Sequence, residues 1–169
     1  SLQLVVLLVG VPVFIDQEHL ASGYILGVVG SLVRLVQPSD ARWRLVLASV
    51  EDEEHAIGLH GVAIQMAGWG IQSKILGGRT PPQAIADAIE HLNPDAVGLS
   101  ITMGRSPAAA VAMLDAYALA CGNRPWFVGG SGAASVAALV RARGGLCLVG
   151  SPSDHRVAIE RALSRRSPA

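Results

Sequence analysis

A histidine flanked by acids lies at the point where an apolar, strand-like run ends. The stretch Val50–Gly58 contains Glu53 and His55, and the helical pattern Ala56–Ala67 overlaps its end. A carboxylate two residues before an imidazole can hold one ring nitrogen, which leaves the other as a more basic metal ligand. Gly58 lies one helical turn after His55 and leaves room for a large flat ligand. The alternative is a surface loop with an N-capping acid and an exposed histidine.

Two further sets of small residues follow later strand-like runs. Ser100 and Thr102 come at the end of one apolar run, and Gly129 and Gly130 end the next. A serine hydroxyl offers a hydrogen bond without bulk, and glycines let the backbone approach a rigid heterocycle closely. In open α/β sheets, ligands bind beyond the carboxyl ends of the strands, where the strand order reverses. We therefore expect these loops and the His55 loop to lie at one edge of a sheet.

Strand and helix patterns alternate from Arg44 onward and predict an α/β fold. Five strand–helix units indicate a five-stranded, parallel, doubly wound sheet of the flavodoxin-like or Rossmann-like kind, in the order 2-1-3-4-5. Before it, apolar residues at helical spacing predict a helix over 17–36 with Asp16 as N-cap. We expect residues 1–41 to form a helical cap segment with a linker, and residues 42–169 to form the α/β domain. The predicted strands are 44–50, 71–76, 96–100, 126–128 and 146–149, and the predicted later helices are 55–67, 82–92 (capped by Thr80), 107–120, 134–143 and 154–164.

Composition excludes several classes of protein. Of the 169 residues, 51% are hydrophobic, which is enough for a substantial core, and 13 basic residues balance 13 acidic ones. The sequence has no basic patch of the kind that would indicate direct nucleic-acid binding. Cys121 and Cys147 do not form a disulfide framework, so a reducing cytoplasm is expected. The apolar run Leu4–Ile15 is too short for a membrane span, which needs about 20 residues. The start at Ser1 indicates a processed protein or a fragment.

Other ligand chemistries fit the sequence less well. The stretch Gly130–Ser135 imitates a dinucleotide fingerprint, but it follows the fourth strand and has serine at its third position. A phosphorylation receiver needs an Asp where Ser100 stands. His55 and His60 are five residues apart, about 140° on a helix, so they cannot share a zinc ion from one face. No nucleophile has an adjacent base, and we expect no catalysis within this chain.

The spacing of these small and charged residues resembles that of the cobalamin (vitamin B12)-binding domain family. The family signature is Asp-x-His-x-x-Gly, then Ser-x-Leu after a later strand, then Gly-Gly after the next. The resemblance covers roughly Arg44 to Pro152. The matching residues of this chain are Glu53, His55, Gly58, Ser100, Thr102, Gly129 and Gly130.

The chain departs from the family signature at two positions, and it carries one further match outside it. Glu53 replaces the usual Asp, and Thr102 stands where Leu is common. The Glu-x-His form resembles the light-sensing, MerR-type regulators that bind adenosylcobalamin. Those proteins carry a helical bundle on which a Trp, separated by nine residues from a Glu-His pair, covers the upper face of the corrin. Glu18 and His19 match the second half of that motif, but Leu8 occupies the Trp position.

The resemblance implies a cobalamin-binding sensory or regulatory protein. His55 would be the lower cobalt ligand, tuned by Glu53, and Gly58 would admit the corrin. Adenosylcobalamin is the expected form, and methylcobalamin and hydroxocobalamin are alternatives. A protein partner or a homo-oligomer would receive the signal. The other functions left open are a corrinoid carrier of a methyltransferase and a cofactor-free interaction module. Ser100, Thr102, Gly129 and Gly130 would hold the nucleotide tail, and Glu18 and His19 would face the upper axial group.

Overall fold

The computed structural model describes residues 15–54 and 56–165. The chain divides into two compact units between Leu35 and Val36. The first unit contributes most of helix α1, Ile15–Val36, in which the Ser31 hydroxyl donates to the carbonyl oxygen of Gly27 at 2.9 Å. Among the described residues, no helix is both long enough and apolar enough to cross a membrane. The predicted division into residues 1–41 and 42–169 stays a prediction.

The second unit is a five-stranded parallel sheet in the order β2-β1-β3-β4-β5. This confirms the predicted fold class and the predicted strand order. The strands are β1 Trp43–Val50, β2 Ile71–Thr80, β3 Ala96–Ser100, β4 Trp126–Gly129 and β5 Leu146–Cys147, and the helices are α2 Ile57–Ala67, α3 Pro82–Leu92, α4 Pro107–Cys121, α5 Ala133–Ala142 and α6 Pro152–Ser164.

The central strands are apolar along nearly their whole length because helices pack against the sheet. All residues of β1 except Arg44 are buried, as are the first four residues of β3. Such continuous apolar runs are typical of parallel strands covered on both faces. Gly98 is needed in β3 because a Cβ there would lie 2.6 Å from the Leu47 side chain.

Two predicted helix caps are wrong. Asp16 lies inside α1, which begins one residue earlier, at Ile15. Thr80 does not cap α3, because the N-cap of that helix is Pro81. The Thr80 hydroxyl instead donates to the carbonyl oxygen of Gly77 at 3.2 Å. Thr80 is the last residue of β2, because pairing with β1 continues past two register shifts, one on each side of the Ala48–Gly77 pair, and ends with Val50 opposite Thr80.

The start of α6 and the length of β5 also differ from prediction. Helix α6 begins at Pro152 because Ser151 and Asp154 form a reciprocal capping box at its start. The Ser151 hydroxyl accepts from the Asp154 backbone, and the Asp154 carboxylate accepts from the Ser151 backbone at 2.9 Å. Strand β5 ends at Cys147, two residues before its predicted end. Both cysteines are free, and Cys121 is buried in the core as expected of a packing residue.

A buried tyrosine ties the ends of two strands to helix α4. The Tyr117 side chain is fully buried, and its hydroxyl accepts from the Glu51 backbone at 2.8 Å and donates to the Thr80 carbonyl at 2.6 Å. Burial raises the pKa of Tyr117 to about 12. The residues that follow β1 therefore leave the sheet from a fixed point.

Replacing this hydroxyl tests the anchor. We expect Tyr117→Phe to lower the free energy of unfolding by about 1–3 kcal/mol, because it leaves the buried Thr80 carbonyl and the partly buried Glu51 N–H without this partner. Chemical denaturation measures the change. Leu119→Ala, at an 84% exposed position of the same helix, is the control and should change stability by less than about 0.5 kcal/mol. Equal effects of the two substitutions would contradict the anchoring role.

Candidate functional site

The carboxylate of Glu53 is the centre of the predicted site, and it is fully buried. It lies in the loop between β1 and α2 and accepts hydrogen bonds from the loop between β3 and α4. The Thr102 backbone donates to both carboxylate oxygens at 2.8 Å, and the Thr102 hydroxyl donates at 2.7 Å. The Met103 backbone donates at 3.1 Å. A buried carboxylate needs such donors to offset its desolvation, so it joins the two loops.

Arg105 adds a positive charge to this junction. Only 6% of its side chain is exposed. Its Nη2 donates to Glu53 at 2.9 Å and closely contacts the carboxylate of Asp52, to which Nε also donates at 3.0 Å. Its Nη1 donates to the Met103 carbonyl at 2.9 Å. One guanidinium group thus binds two carboxylates of one loop and a carbonyl of the other.

The ionisation of these groups follows from their contacts. Burial raises the pKa of the Glu53 carboxyl group, but hydrogen bonds from Thr102, Met103 and Arg105 outweigh it and hold that pKa below its ordinary value. The hydrogen bond from Arg105 lowers the pKa of Asp52. Burial opposes the charge on Arg105, but the two carboxylates outweigh it and raise its pKa. The cluster is therefore one cation between two anions at neutral pH.

Strand β2 holds the same loop from the other side. The Arg79 backbone donates to the Glu53 carbonyl at 2.8 Å. A Cβ at Gly78 would lie 2.5 Å from the Glu54 carbonyl oxygen, so only glycine permits this approach. The loop that precedes His55 is therefore held between β2 and the β3–α4 loop.

The loop between β4 and α5 packs against the β3–α4 loop. The Ser131 hydroxyl donates to the Thr102 carbonyl at 3.1 Å, and the Gly132 backbone donates to the Ile101 carbonyl at 2.9 Å. Gly130 has a φ of +103°, and a Cβ on it would collide with the Ile101 carbonyl. Close packing between the two loops therefore explains why glycine occupies this position.

The structure brings several of the predicted site residues together at the carboxyl edge of the sheet. Glu53 and Thr102 are in direct contact, and Ser100 pairs in register with Gly129. His55 lies outside the described residues. Glu18 and His19 lie within α1, whose first turns are described without their side chains. The roles in cofactor binding that were expected of these residues stay predictions.

Open space and exposed apolar groups border this junction. A Cβ added at Gly58 or at Gly129 would meet nothing within 4 Å. Ile57 is 54% exposed and Met103 45% exposed. These positions leave the surface next to the polar junction open and partly apolar. Within residues 15–54 and 56–165, no three His, Cys, Asp or Glu side chains are grouped so that they could hold a metal ion.

Sequence reasoning missed four residues of this junction: Asp52, Gly78, Arg105 and Ser131. Their contacts join loops that are distant in sequence; Arg105 is 53 residues from Asp52. The available signal was charge complementarity, because acids and a single arginine follow two strands that were predicted to be neighbours.

Comparison with known proteins adds a family match. The family model of the B12 binding domain matches residues 43–158, which begin at the first residue of β1. The chain is 32% identical over 126 residues to the HTH-type transcriptional repressor CarA of Myxococcus xanthus, covering 73% of this chain and 43% of CarA. It is 36% identical over 92 residues to the repressor CarH of the same organism, covering 54% of this chain and 30% of CarH. The chain thus spans less than half the length of either relative.

A solved structure has the same fold. The similar structure is that of a cobalamin-binding protein from Desulfitobacterium hafniense DCB-2, with a TM-score of 0.57 and 22% identity. The match covers 85% of this chain and 74% of that protein. At this identity the likeness establishes the fold.

Neutralising the buried carboxylate tests the junction. We expect Glu53→Gln to lower the free energy of unfolding by about 2–3 kcal/mol, because hydrogen bonds to a charged group contribute about 1.5–3 kcal/mol and an amide cannot accept from every donor here. Chemical denaturation at neutral pH measures the loss. Glu54→Gln is the matched control: its side chain is 79% exposed, and its 3.6 Å ion pair with Arg79 contributes about 0–1 kcal/mol. A Glu53→Gln protein as stable as the control would contradict the junction.

Proposed function

Because the chain belongs to the B12-binding domain family, we propose that it is a light-responsive regulatory domain that binds adenosylcobalamin. The observation that carries the proposal is the polar junction at the carboxyl edge of the sheet, which has the motif residues Glu53 and Thr102 in contact and open space at Gly58 and Gly129. That edge is where an open α/β sheet binds its ligands.

The motif residues take distinct roles in this proposal. His55, two residues beyond the buried carboxylate in the sequence, would be the protein ligand to cobalt. Gly58 leaves room for the corrin because it has no side chain. Ser100, Thr102, Gly129 and Gly130 would hold the nucleotide tail of the cofactor. Glu18 and His19, which match the second half of the motif of the light-sensing regulators, would contribute to cofactor binding.

The junction supports a lower ligand held in one place. The backbone before His55 is fixed by the Glu53 carboxylate on one side and by Arg79 on the other. A metal ligand on a restrained loop loses little conformational freedom when it coordinates. The apolar neighbours Ile57 and Met103 would be covered by the macrocycle. When bound, adenosylcobalamin supplies a cobalt–carbon bond that light breaks.

A regulatory role is favoured over a carrier role by the sequence relatives. CarA and CarH are transcriptional repressors, and the identity to both exceeds 30%.

Within this proposal the chain works in the cytoplasm without catalysing a reaction itself. A second copy of the chain or a protein partner receives the signal. Any contact with DNA is made by another chain or by residues outside these 169.

Cobalamin retention is the first test. We expect the protein to retain adenosylcobalamin in the dark, with a spectrum of nitrogen-ligated cobalt that changes on illumination. In the His55→Ala protein, cobalt should lose its protein nitrogen ligand. Unbound cobalamin is removed by gel filtration before each absorption spectrum is recorded. Retention of methylcobalamin alone would indicate the corrinoid carrier instead. Retention of no cobalamin would contradict both the regulatory function and the carrier function, and it would leave the cofactor-free interaction module.

Gly58 separates a ligand role from a structural one. We expect Gly58→Ala to stabilise the cobalamin-free protein by about 0.4–1 kcal/mol, because the position is helical and the added Cβ meets nothing. The same methyl group should weaken cobalamin binding, because it occupies the space that the corrin needs. Denaturation and equilibrium dialysis measure the two effects. Cobalamin affinity that is unchanged or increased would contradict the role of Gly58.

A further inference from the structure

Arg105 is a buried cation whose contacts join the two loops of the junction. Its guanidinium group lies in the loop between β3 and α4 with 6% of the side chain exposed. A guanidinium has five N–H donors and must be supplied with acceptors when it is buried. Here the acceptors are the carboxylates of Asp52 and Glu53 and the carbonyl of Met103.

The energy of these contacts is divided between attraction and desolvation. Asp52 is 51% exposed, and solvent weakens an ion pair with a partly exposed partner. The contact with Glu53 is buried, but removing both charges from water offsets much of its attraction. Glu53 also keeps its hydrogen bonds to Thr102 and Met103 without Arg105. Removing Arg105 alone would leave the buried Glu53 charge without its cation, so Arg105 contributes to the stability of the junction as well as to the geometry of the two loops.

The segment held by Arg105 leads directly to the metal-ligand position. Asp52 and Glu53 are bound by Arg105, and helix α2 begins at Ile57. His55 lies between these two fixed points in the sequence. On the opposite side, the close approach of Gly78 to the Glu54 carbonyl prevents the loop from moving toward β2.

We infer that Arg105 is a positioning residue for cobalt ligation. By binding Asp52 and Glu53, it joins the segment that precedes His55 in the sequence to the loop after β3, and so restrains the loop that would carry the proposed cobalt ligand. The inference rests on the proposed function, because it concerns the same cobalamin site. The planar guanidinium group of Arg105 can join the two loops because two of its nitrogens contact Asp52 at once. A lysine would supply the charge without this two-point contact.

The test compares three variants of the whole chain. Arg105→Met removes the charge at similar length, and Arg105→Lys keeps the charge. Arg143→Met is the matched control, because Arg143 also binds one carboxylate, Asp115 at 2.6 Å, and one carbonyl, Leu139 at 3.0 Å. Arg143 follows α5 and therefore lies toward the opposite edge of the sheet from the junction.

Two measurements are made on each variant. In the cobalamin-free protein, hydrogen–deuterium exchange is followed in peptides that cover residues 50–57 and 100–106. We expect Arg105→Met to speed exchange in both loops by about tenfold, as for locally opened segments.

In the adenosylcobalamin-loaded protein, the absorption spectrum gives the ratio of nitrogen-ligated cobalt to cobalt without a lower nitrogen ligand. We expect this ratio to fall by about tenfold in Arg105→Met and to recover only in part in Arg105→Lys.

Each outcome decides the inference. Faster exchange in both loops together with the changed spectrum, and neither in Arg143→Met, supports positioning by Arg105. Faster exchange with an unchanged spectrum makes Arg105 a structural residue and overturns the inference, as do two unchanged measurements; in both cases the proposed function stands. A wild-type protein that retains no cobalamin overturns the proposed function, and the inference with it.

Discussion

A single buried carboxylate sets the geometry of the loops at the carboxyl edge of the sheet. Glu53 has no exposed surface, and a carboxylate in that position is tolerated only if donors replace the water it has lost. The donors come almost entirely from the loop after β3, through Thr102, Met103 and Arg105. The loop before His55 and the loop after β3 therefore cannot separate without exposing or abandoning a charge. Formation of this junction places the motif residues of two distant segments beside each other.

The parallel sheet makes that contact possible. Strand β1 lies between β2 and β3, so the loop that leaves β1 is flanked by the ends of both neighbours. Glycine permits the closest approaches: Gly78 against the Glu54 carbonyl and Gly130 against the Ile101 carbonyl. Tyr117 fixes the point where the loop begins, through the Glu51 backbone and the Thr80 carbonyl. The loop that follows β1 is thus held by β2, by the loop after β3 and by Tyr117, while the positions beside Gly58 and Gly129 stay open.

Local patterns predicted the fold, and long-range contacts explain most of what they missed. Apolar runs that alternate with helical spacing were sufficient for the strand order and for helix α3, which spans the predicted residues. The Thr80 cap was wrong because strand pairing continued through Gly77, which no local rule indicates. The motif located Glu53 and Thr102, but it gave no reason to pair Arg105 with Asp52 across 53 residues. Charge partners of this kind follow from topology, which must be known first.

The proposed function depends on His55 as the lower ligand of cobalt, and electron paramagnetic resonance tests this ligation most directly. The protein is labelled with nitrogen-15 in histidine only, loaded with the cobalt(II) form of cobalamin, and compared with unlabelled protein. Ligation by histidine predicts that the superhyperfine splitting changes from the three-line pattern of nitrogen-14 to the two-line pattern of nitrogen-15. His55→Ala should abolish the two-line pattern. A three-line pattern that persists in the labelled protein means that the benzimidazole nitrogen of the cofactor remains on cobalt, and it would contradict ligation by His55.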